Sequence, residues 1–284
     1  MVTMPTKLEK ILNEWVLLAI NVTILLATEL SGQYFAKTGI IHLIAIVFVI
    51  LGISRIFIHY DAYDRYLRLL IRGGSVALVI FSISHLVELL GYVYFKNYVD
   101  AIFINVINFY IISMLAVAIG AEYFLRTLKR GRMTTIVVLG MGVAVFFILT
   151  ILILFNKVLV SLEPDGLTPY IYGLLVVVAS VFSINRLVSI KKHVSIMVGF
   201  VNYFIAAFVL ITISALQYVF YDVLEGLGMP DFQVVYVSHF LFYGALTLMF
   251  LAFVRLTDLG GIYKEAQKTE QKVEEYKKNN TIET

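Results

Sequence analysis

Long apolar runs separated by short polar segments dominate the chain. A helix that crosses the hydrocarbon core of a bilayer, about 30 Å thick, needs roughly 20 apolar residues. The runs are apolar on every side and show no alternation of apolar and polar residues, which excludes a barrel of strands. Eight runs are long enough, at residues 11–30, 38–58, 74–95, 101–123, 134–155, 168–188, 195–220 and 232–255. The pattern predicts an all-α polytopic transmembrane bundle of eight spans.

Composition supports a lipid environment. Hydrophobic residues make up 61% of the 284 and charged residues 14%, against about 45–50% and about 25% in soluble domains. The net charge of +3 is spread over short clusters, which argues against a nucleic-acid binder. The chain has no cysteine, so disulfides, thiol nucleophiles and thiolate metal sites are excluded.

Lysine and arginine concentrate in every second loop. In membrane proteins such loops face the cytoplasm, so the distribution predicts a cell-membrane protein with both termini cytoplasmic. The basic residues concerned are Lys7, Lys10, Arg65, Arg68, Arg72, Arg126, Lys129, Arg130, Arg132, Arg186, Lys191 and Lys192. Between Phe57 and Arg72, tyrosines alternate with charges, which predicts an amphipathic helix along the inner surface. An ordinary basic connector is the alternative.

The third and seventh predicted spans resemble each other. A displacement of 130 residues superposes five identical pairs: Ala77 and Ala207, Val79 and Val209, Ile83 and Ile213, Ser84 and Ser214, Leu86 and Leu216. We therefore expect two tandem four-helix repeats, residues 1–130 and 131–258, followed by a charged cytoplasmic helical tail at 259–284. Four spans per repeat give both halves the same orientation, as in parallel-repeat transporters.

Polar side chains inside the spans gather toward the predicted outer side. On the third span His85 and Glu88 are three residues apart and share one helical face. Charged and strongly polar groups in lipid cost roughly 2.5–3.5 kcal/mol and usually face the bundle interior. The predicted ligand-binding pocket comprises His85, Glu88, Asn105, Asn108, His239 and His42.

The pocket admits more than one interpretation. It could take a small ligand, a proton or a metal ion, and His85 with His239 could hold a haem. The alternative is a network of hydrogen bonds that joins helices, each worth about 0.6 kcal/mol on average. No hydrolase, metalloprotease or phosphate-loop motif is present, so no enzymatic activity is predicted.

The C-terminal tail has its own pattern. Ile262, Ala266, Thr269, Val273 and Tyr276 alternate spacings of four and three, which is typical of a coiled-coil seam. Residues 262–284 are therefore predicted to form a stalk that binds a cytosolic or membrane partner or a second copy of the chain. The alternative is a solvated charged tail.

The stretch from Phe81 to Gly91, which reads FSISHLVELLG, resembles a segment of multi-pass membrane input modules of prokaryotic, especially archaeal, sensor proteins. In those modules a helical stalk leads from the last span to a signalling domain. No kinase or cyclase sequence follows the stalk here, so the resemblance implies signalling through a separate protein.

Three functions are compatible with the sequence. The first is a receptor-like sensor module with an outer polar pocket. The second is a secondary transporter or channel with its site between the repeats, which predicts polar groups in the inner half and helices broken near the midplane. The third is a hydrophobic subunit of a membrane complex, such as a respiratory one, that binds haem or quinone.

Overall fold

The computed structural model describes residues 60–63, 65–94, 99–155, 167–230 and 237–256, with isolated positions between 16 and 54 and between 269 and 273. These residues form seven helices and no strand. The helices are α1 Arg65–Tyr94, α2 Val99–Thr127, α3 Met133–Phe155, α4 Thr168–His193, α5 Val198–Val219, α6 Tyr221–Gly226 and α7 Val237–Leu256. All but the short α6 are long and apolar enough to cross a membrane. The prediction of an all-helical, multi-pass membrane protein is confirmed at this level.

Six of the eight predicted spans coincide with α1 to α5 and α7. The first two spans, with His42, and most of the tail at 262–284 lie outside the described residues, so the number eight stays a prediction. The isolated positions described there, such as Val16, Val49 and Val273, are helical.

The start of α1 differs from the sequence-based boundary. The apolar run predicted a span from residue 74, and the preceding segment was expected to lie along the surface. The structure has a short 3-10 turn at Tyr60–Ala62, and α1 begins at Arg65. Leu67, Leu70 and Ile71 are buried, which explains why the helix continues into the bundle instead of ending at the last basic residue.

Helix α2 is the centre of the bundle. It packs against α1, α3, α4 and α5 and is buried over most of its circumference. Helices α3 and α4 instead expose large apolar side chains such as Val138, Met141, Leu174 and Val178. Exposed apolar faces of this kind are expected where a helix meets lipid tails.

Helices α1 and α2 cross at two glycines. A Cβ atom on Gly73 would lie 3.0 Å from the carbonyl oxygen of Ala116 and 3.1 Å from Cα of Gly120. Such close backbone contact is typical of small residues at transmembrane helix crossings. Nearby, the Ser113 hydroxyl donates to the carbonyl of Ala77 at 3.3 Å.

Hydroxyl groups also join the other helices. Ser183 on α4 donates to the carbonyl of Met114 on α2 at 2.9 Å, and the hydroxyls of Ser214 on α5 and Ser238 on α7 are 2.7 Å apart. Consecutive long helices run antiparallel, so the bundle has an α1–α2 end, where α1 stops and α2 begins, and an α2–α3 end opposite it. Helix α7 begins at the α1–α2 end and packs between α1 and α5.

The two helices of the proposed repeat have matching exposure. Between residues 71–87 of α1 and 201–217 of α5, the pattern of buried, intermediate and exposed side chains agrees at every pair except Ser75 with Ile205 and Leu86 with Leu216. Val79 and Val209 are both lipid-facing, at 46% and 43% exposure. The helices therefore present equivalent faces to the core and to lipid.

Candidate functional site

Three of the predicted site residues meet at the α1–α2 end of the bundle. The Glu88 carboxylate lies between two imidazoles: its Oε2 is 3.4 Å from Nδ1 of His85, and its Oε1 is 3.9 Å from Nε2 of His239. Glu88 is 0% exposed, His85 1% and His239 3%. We call these three residues the triad. It contains a carboxylate that is shared by two helices and removed from solvent.

Helix geometry explains how the triad forms. His85 and Glu88 are three residues apart, so α1 places them on one side, while Ile83, Leu86 and Leu90 on the opposite side are exposed. His239 lies in the first turn of α7, which runs antiparallel to α1. The C-terminal half of α1 and the beginning of α7 therefore bring the three groups to the same level.

Aromatic rings enclose the triad. The ring of Phe242 lies against the His85 ring, with centroids 3.8 Å apart, and stacks on Tyr110 at an interplanar angle of 11°. The Tyr110 hydroxyl is 3.4 Å from Nε2 of His85, and the Tyr243 hydroxyl is close enough to interact electrostatically with Glu88. The imidazole of His85 thus contacts a carboxylate on one nitrogen and a phenol on the other.

The two predicted asparagines belong to α2, and only Asn108 is placed away from the triad. Asn105 and Asn108 are both fully buried. Asn108 and Tyr110 project about 160° apart around a helix axis, so Asn108 points away from the triad and faces Tyr172 on α4. The structure therefore brings together His85, Glu88 and His239 and places Asn108 at a different helix interface.

Sequence reasoning missed two parts of the site. Tyr110 and Phe242 lie in apolar spans, where an aromatic residue that faces a functional group has the same pattern as one that only fills the core. Sequence reasoning also missed Glu122 and Arg186, although each is a charged residue inside a predicted span. Intramembrane charges usually pair, so these two residues gave a usable signal.

Glu122 forms a second buried ionic centre, at the α2–α3 end. Its Oε2 lies 3.1 Å from Nη1 of Arg186 on α4, and the backbone N–H of Arg132 donates to its Oε1 at 2.5 Å. Glu122 is 0% exposed. The carboxylate therefore joins the end of α2, the loop that follows it and the end of α4.

The loop between α2 and α3 is shaped to reach Glu122. Lys129 has a φ of 57°, in the left-handed region that most residues avoid. A Cβ on Gly131 would collide with the backbone N of Arg126 and the carbonyl oxygen of Glu122. Only glycine permits this approach, so the sequence of the loop fixes the Arg132 N–H over the carboxylate.

The triad does not fit a haem. A bis-histidine haem requires an imidazole nitrogen of each ring to point at iron, with the macrocycle between the rings. Here both nitrogens of His85 contact protein groups, Glu88 and Tyr110, and Phe242 covers the ring. Among the described residues, no group of three or more His, Cys, Asp or Glu is arranged to hold a metal ion.

Comparisons with family models, with curated proteins and with solved structures find no match to this chain.

Proposed function

We propose that this protein is a receptor-like membrane sensor module whose input is protonation of the triad, and that it signals through its tail, residues 262–284, to a separate partner. The observation that carries the proposal is the position of Glu88. Its carboxylate is fully buried and is shared between His85 on the same helix and His239 on another.

Burial favours a proton over a larger ligand. All three triad residues are at most 3% exposed, and Phe242 and Tyr110 cover the imidazole of His85. A proton needs no cavity. Histidine and carboxylate side chains both exchange protons in proteins, so the triad consists of groups that can take up and release a proton.

Protonation would change the forces between two helices. Gain of one proton alters the triad by a unit charge in an apolar interior, where charge interactions are several-fold stronger than in water. His85 and Glu88 belong to α1 and His239 belongs to α7, so that change acts across the α1–α7 contact. The titratable groups that face Glu88 from the described helices are His85, Tyr110, His239 and Tyr243.

The proposal also includes the orientation of the bundle in the membrane and its two tandem repeats. The basic loops support a triad near the extracytoplasmic side, with both termini in the cytoplasm. The matching exposure of α1 and α5 supports two tandem repeats. So does the contact between Gly74 and Phe204, which correspond at a displacement of 130: a Cβ on Gly74 would lie 3.6 Å from Cζ of Phe204. Two corresponding residues contact each other when both lie near the two-fold axis that relates the repeats.

The transporter alternative draws on the same symmetry and on the polar pair Glu122 and Arg186 at the opposite end. It also predicts broken helices near the midplane, as transporter sites require unwound segments. Within the described residues α1, α2, α4, α5 and α7 are continuous. We therefore favour the sensor over the transporter. The third alternative was a subunit of a membrane complex that binds haem or quinone. Its haem-binding form loses support because the triad does not fit a porphyrin.

Infrared spectroscopy of the full chain in nanodiscs tests the proposed input. Between about pH 5 and about pH 8, we expect the carbonyl band of a protonated carboxyl to appear on acidification, or the imidazole bands to change together with the carboxylate bands of Glu88. The change should disappear in Glu88→Gln and persist in Glu122→Gln, which alters an equally buried carboxylate at the other end. An identical titration in wild type and Glu88→Gln would overturn the proposal.

A further inference from the structure

Helices α1 and α7 are joined a second time at the α2–α3 end, far from the triad. The hydroxyl of Tyr63 donates to the backbone carbonyl of Leu256 at 2.6 Å, and both residues are buried. Leu256 ends the described part of α7, and residues 257–284 follow it in the sequence. Tyr63 therefore holds α7 at the point from which the chain continues into the tail.

The turn that carries Tyr63 is fixed to α1 by two arginines. Arg68 donates from Nε to the carbonyl of Tyr63 and from Nη2 to the carbonyl of Asp61, both at 2.8 Å. Arg72 donates from Nε to the Tyr60 hydroxyl, and both guanidinium groups lie over the Tyr60 ring. Because both arginines are in the first turns of α1, the turn at 60–63 moves with that helix.

The contact between α1 and α7 continues from one end to the other. Between the triad and Tyr63 lies Gly74, where a Cβ would be 3.2 Å from Cζ of Phe253. Phe253 also packs on Phe204 and Phe200 of α5. From His239 to Leu256 the axial distance is about 26 Å at 1.5 Å per residue. The triad and Tyr63 are thus two separate links between the same two helices, with a packed pivot between them.

The two links differ in chemical character. The triad link is made of ionisable side chains, and its strength depends on their protonation. The Tyr63 link includes a neutral hydrogen bond, and such bonds weaken steeply with angle and distance. A change at the first link that rotates or separates α1 and α7 about the pivot is therefore transmitted to the second.

We infer that the Tyr63–Leu256 hydrogen bond is a releasable clamp that couples the triad to the position of the tail. The inference rests on the proposed function for its input and adds to it the residue that transmits the signal. With the clamp closed the C-terminal end of α7 is held against the turn that precedes α1; when the triad changes its charge, the clamp opens and releases this end of α7, from which the chain continues into the tail. Tyr63 is a positioning residue that takes no part in proton binding.

The chain contains no cysteine, so cysteines can be introduced at two chosen positions and labelled to measure the distance between them. Spin labels are attached to Lys192→Cys, which is exposed at the end of α4, and to Val273→Cys, which is exposed and helical in the tail. Electron–electron resonance on the full chain in nanodiscs then gives the distance between the labels at about pH 5 and about pH 8. The infrared titration of the triad is recorded on the same samples.

In the labelled parent we expect the distance distribution to shift by several ångströms between the two pH values. Tyr63→Phe keeps the ring and removes only the hydroxyl, so the shift with pH should be lost while the infrared titration is unchanged. Tyr123→Phe is the matched control: it removes a tyrosine hydroxyl on α2 near the same end of the bundle, and it should retain the shift. In Glu88→Gln the distance should no longer respond to pH.

The outcomes separate the clamp from the proposed function. If the triad titrates but the distance is constant in the parent, or if Tyr63→Phe keeps the full shift, the clamp is overturned and the proton input stands. If the infrared signal of Glu88 does not titrate in the parent, the proposed function is overturned and the clamp with it. Loss of the shift in Tyr123→Phe as well as Tyr63→Phe would also overturn the clamp, because the effect would not be specific to the hydrogen bond.

Discussion

Glu122 on α2 and Arg186 on α4 form an ion pair with 3.1 Å between Oε2 and Nη1, and the carboxylate is fully buried while the arginine side chain is 25% exposed. The guanidinium also lies over the ring of Phe182 at 5.0 Å. Two helices that are separated by α3 in the sequence are thereby held together at the α2–α3 end.

Removal of one partner should destabilise the protein. Breaking a fully buried ion pair costs roughly 3–5 kcal/mol because a charge is left unpaired. Partial exposure of Arg186 lowers this, so we expect Arg186→Ala to cost about 2–3 kcal/mol. Glu122→Gln should cost less, since the amide oxygen can still accept from the Arg132 N–H. Denaturation of the detergent-solubilised protein measures both, with Lys192→Ala, an exposed lysine near the end of α4, as the control.

The double variant Arg186→Ala with Glu122→Gln provides a stricter check. If the cost of the arginine substitution arises from the unpaired carboxylate, the double variant should be more stable than Arg186→Ala alone. Equal or lower stability of the double variant would show that packing of the arginine, not its charge, holds α4 in place.

The crossing of α1 and α2 should depend on the size of residue 73. In Gly73→Val the side chain would meet the backbone of Ala116 and Gly120, so we expect destabilisation of about 1–3 kcal/mol, as for other overpacked sites. Gly140→Val on α3 is the matched control, because a Cβ there meets nothing within 4 Å. The same loss of stability in both variants would contradict a tight crossing at Gly73.

Haemin should not bind to the triad. Both nitrogens of His85 contact protein groups and Phe242 covers the ring, so addition of haemin to the purified protein is expected to give no low-spin bis-histidine spectrum. Absorption spectroscopy of wild type and His239→Ala provides the measurement. A Soret band that is present in wild type and lost in His239→Ala would show that the helices open to admit a porphyrin.

Thiol labelling tests the orientation that the basic loops predict. Leu227→Cys lies in the exposed turn after α6 at the α1–α2 end, and Lys129→Cys is exposed in the loop at the α2–α3 end. An impermeant maleimide applied to intact cells should label the cysteine at 227 and spare the one at 129, while both react after lysis. The reverse pattern would place the triad on the cytoplasmic side and require a different input.

Sequence alone predicted the helices that cross the membrane and part of the triad. Apolar length identifies a span, and the spacing of His85 and Glu88 places them on one face of α1. His239 was assigned to the same predicted pocket because it lies at a similar depth in its span, since the distance between two helices has no sequence signature. The length of α1 was underestimated because Arg68 and Arg72 interrupt the apolar run, although Leu70 and Ile71 between them are buried.

The rotation of α2 could not be predicted. This helix is packed on most sides, so its apolar residues do not mark a single inner face, and a polar residue on it can point toward any of its neighbours. Asn108 was therefore assigned to the same pocket as His85, whereas it faces Tyr172 on α4. The only signal for the pairing of Glu122 with Arg186 is that both are charged residues inside predicted spans, since 64 residues separate them in the sequence.

The ring of Phe242 has a consequence for the rate of any response. It lies 3.8 Å from the His85 ring by centroid and stacks on Tyr110, so water reaches the imidazole only when this aromatic cover rotates aside. Under the proposed function, proton exchange between the triad and the surrounding medium would then depend on that side-chain motion. If protonation of the triad is the input, Phe242→Ala should accelerate equilibration after a pH jump, because the ring that covers the imidazole is removed.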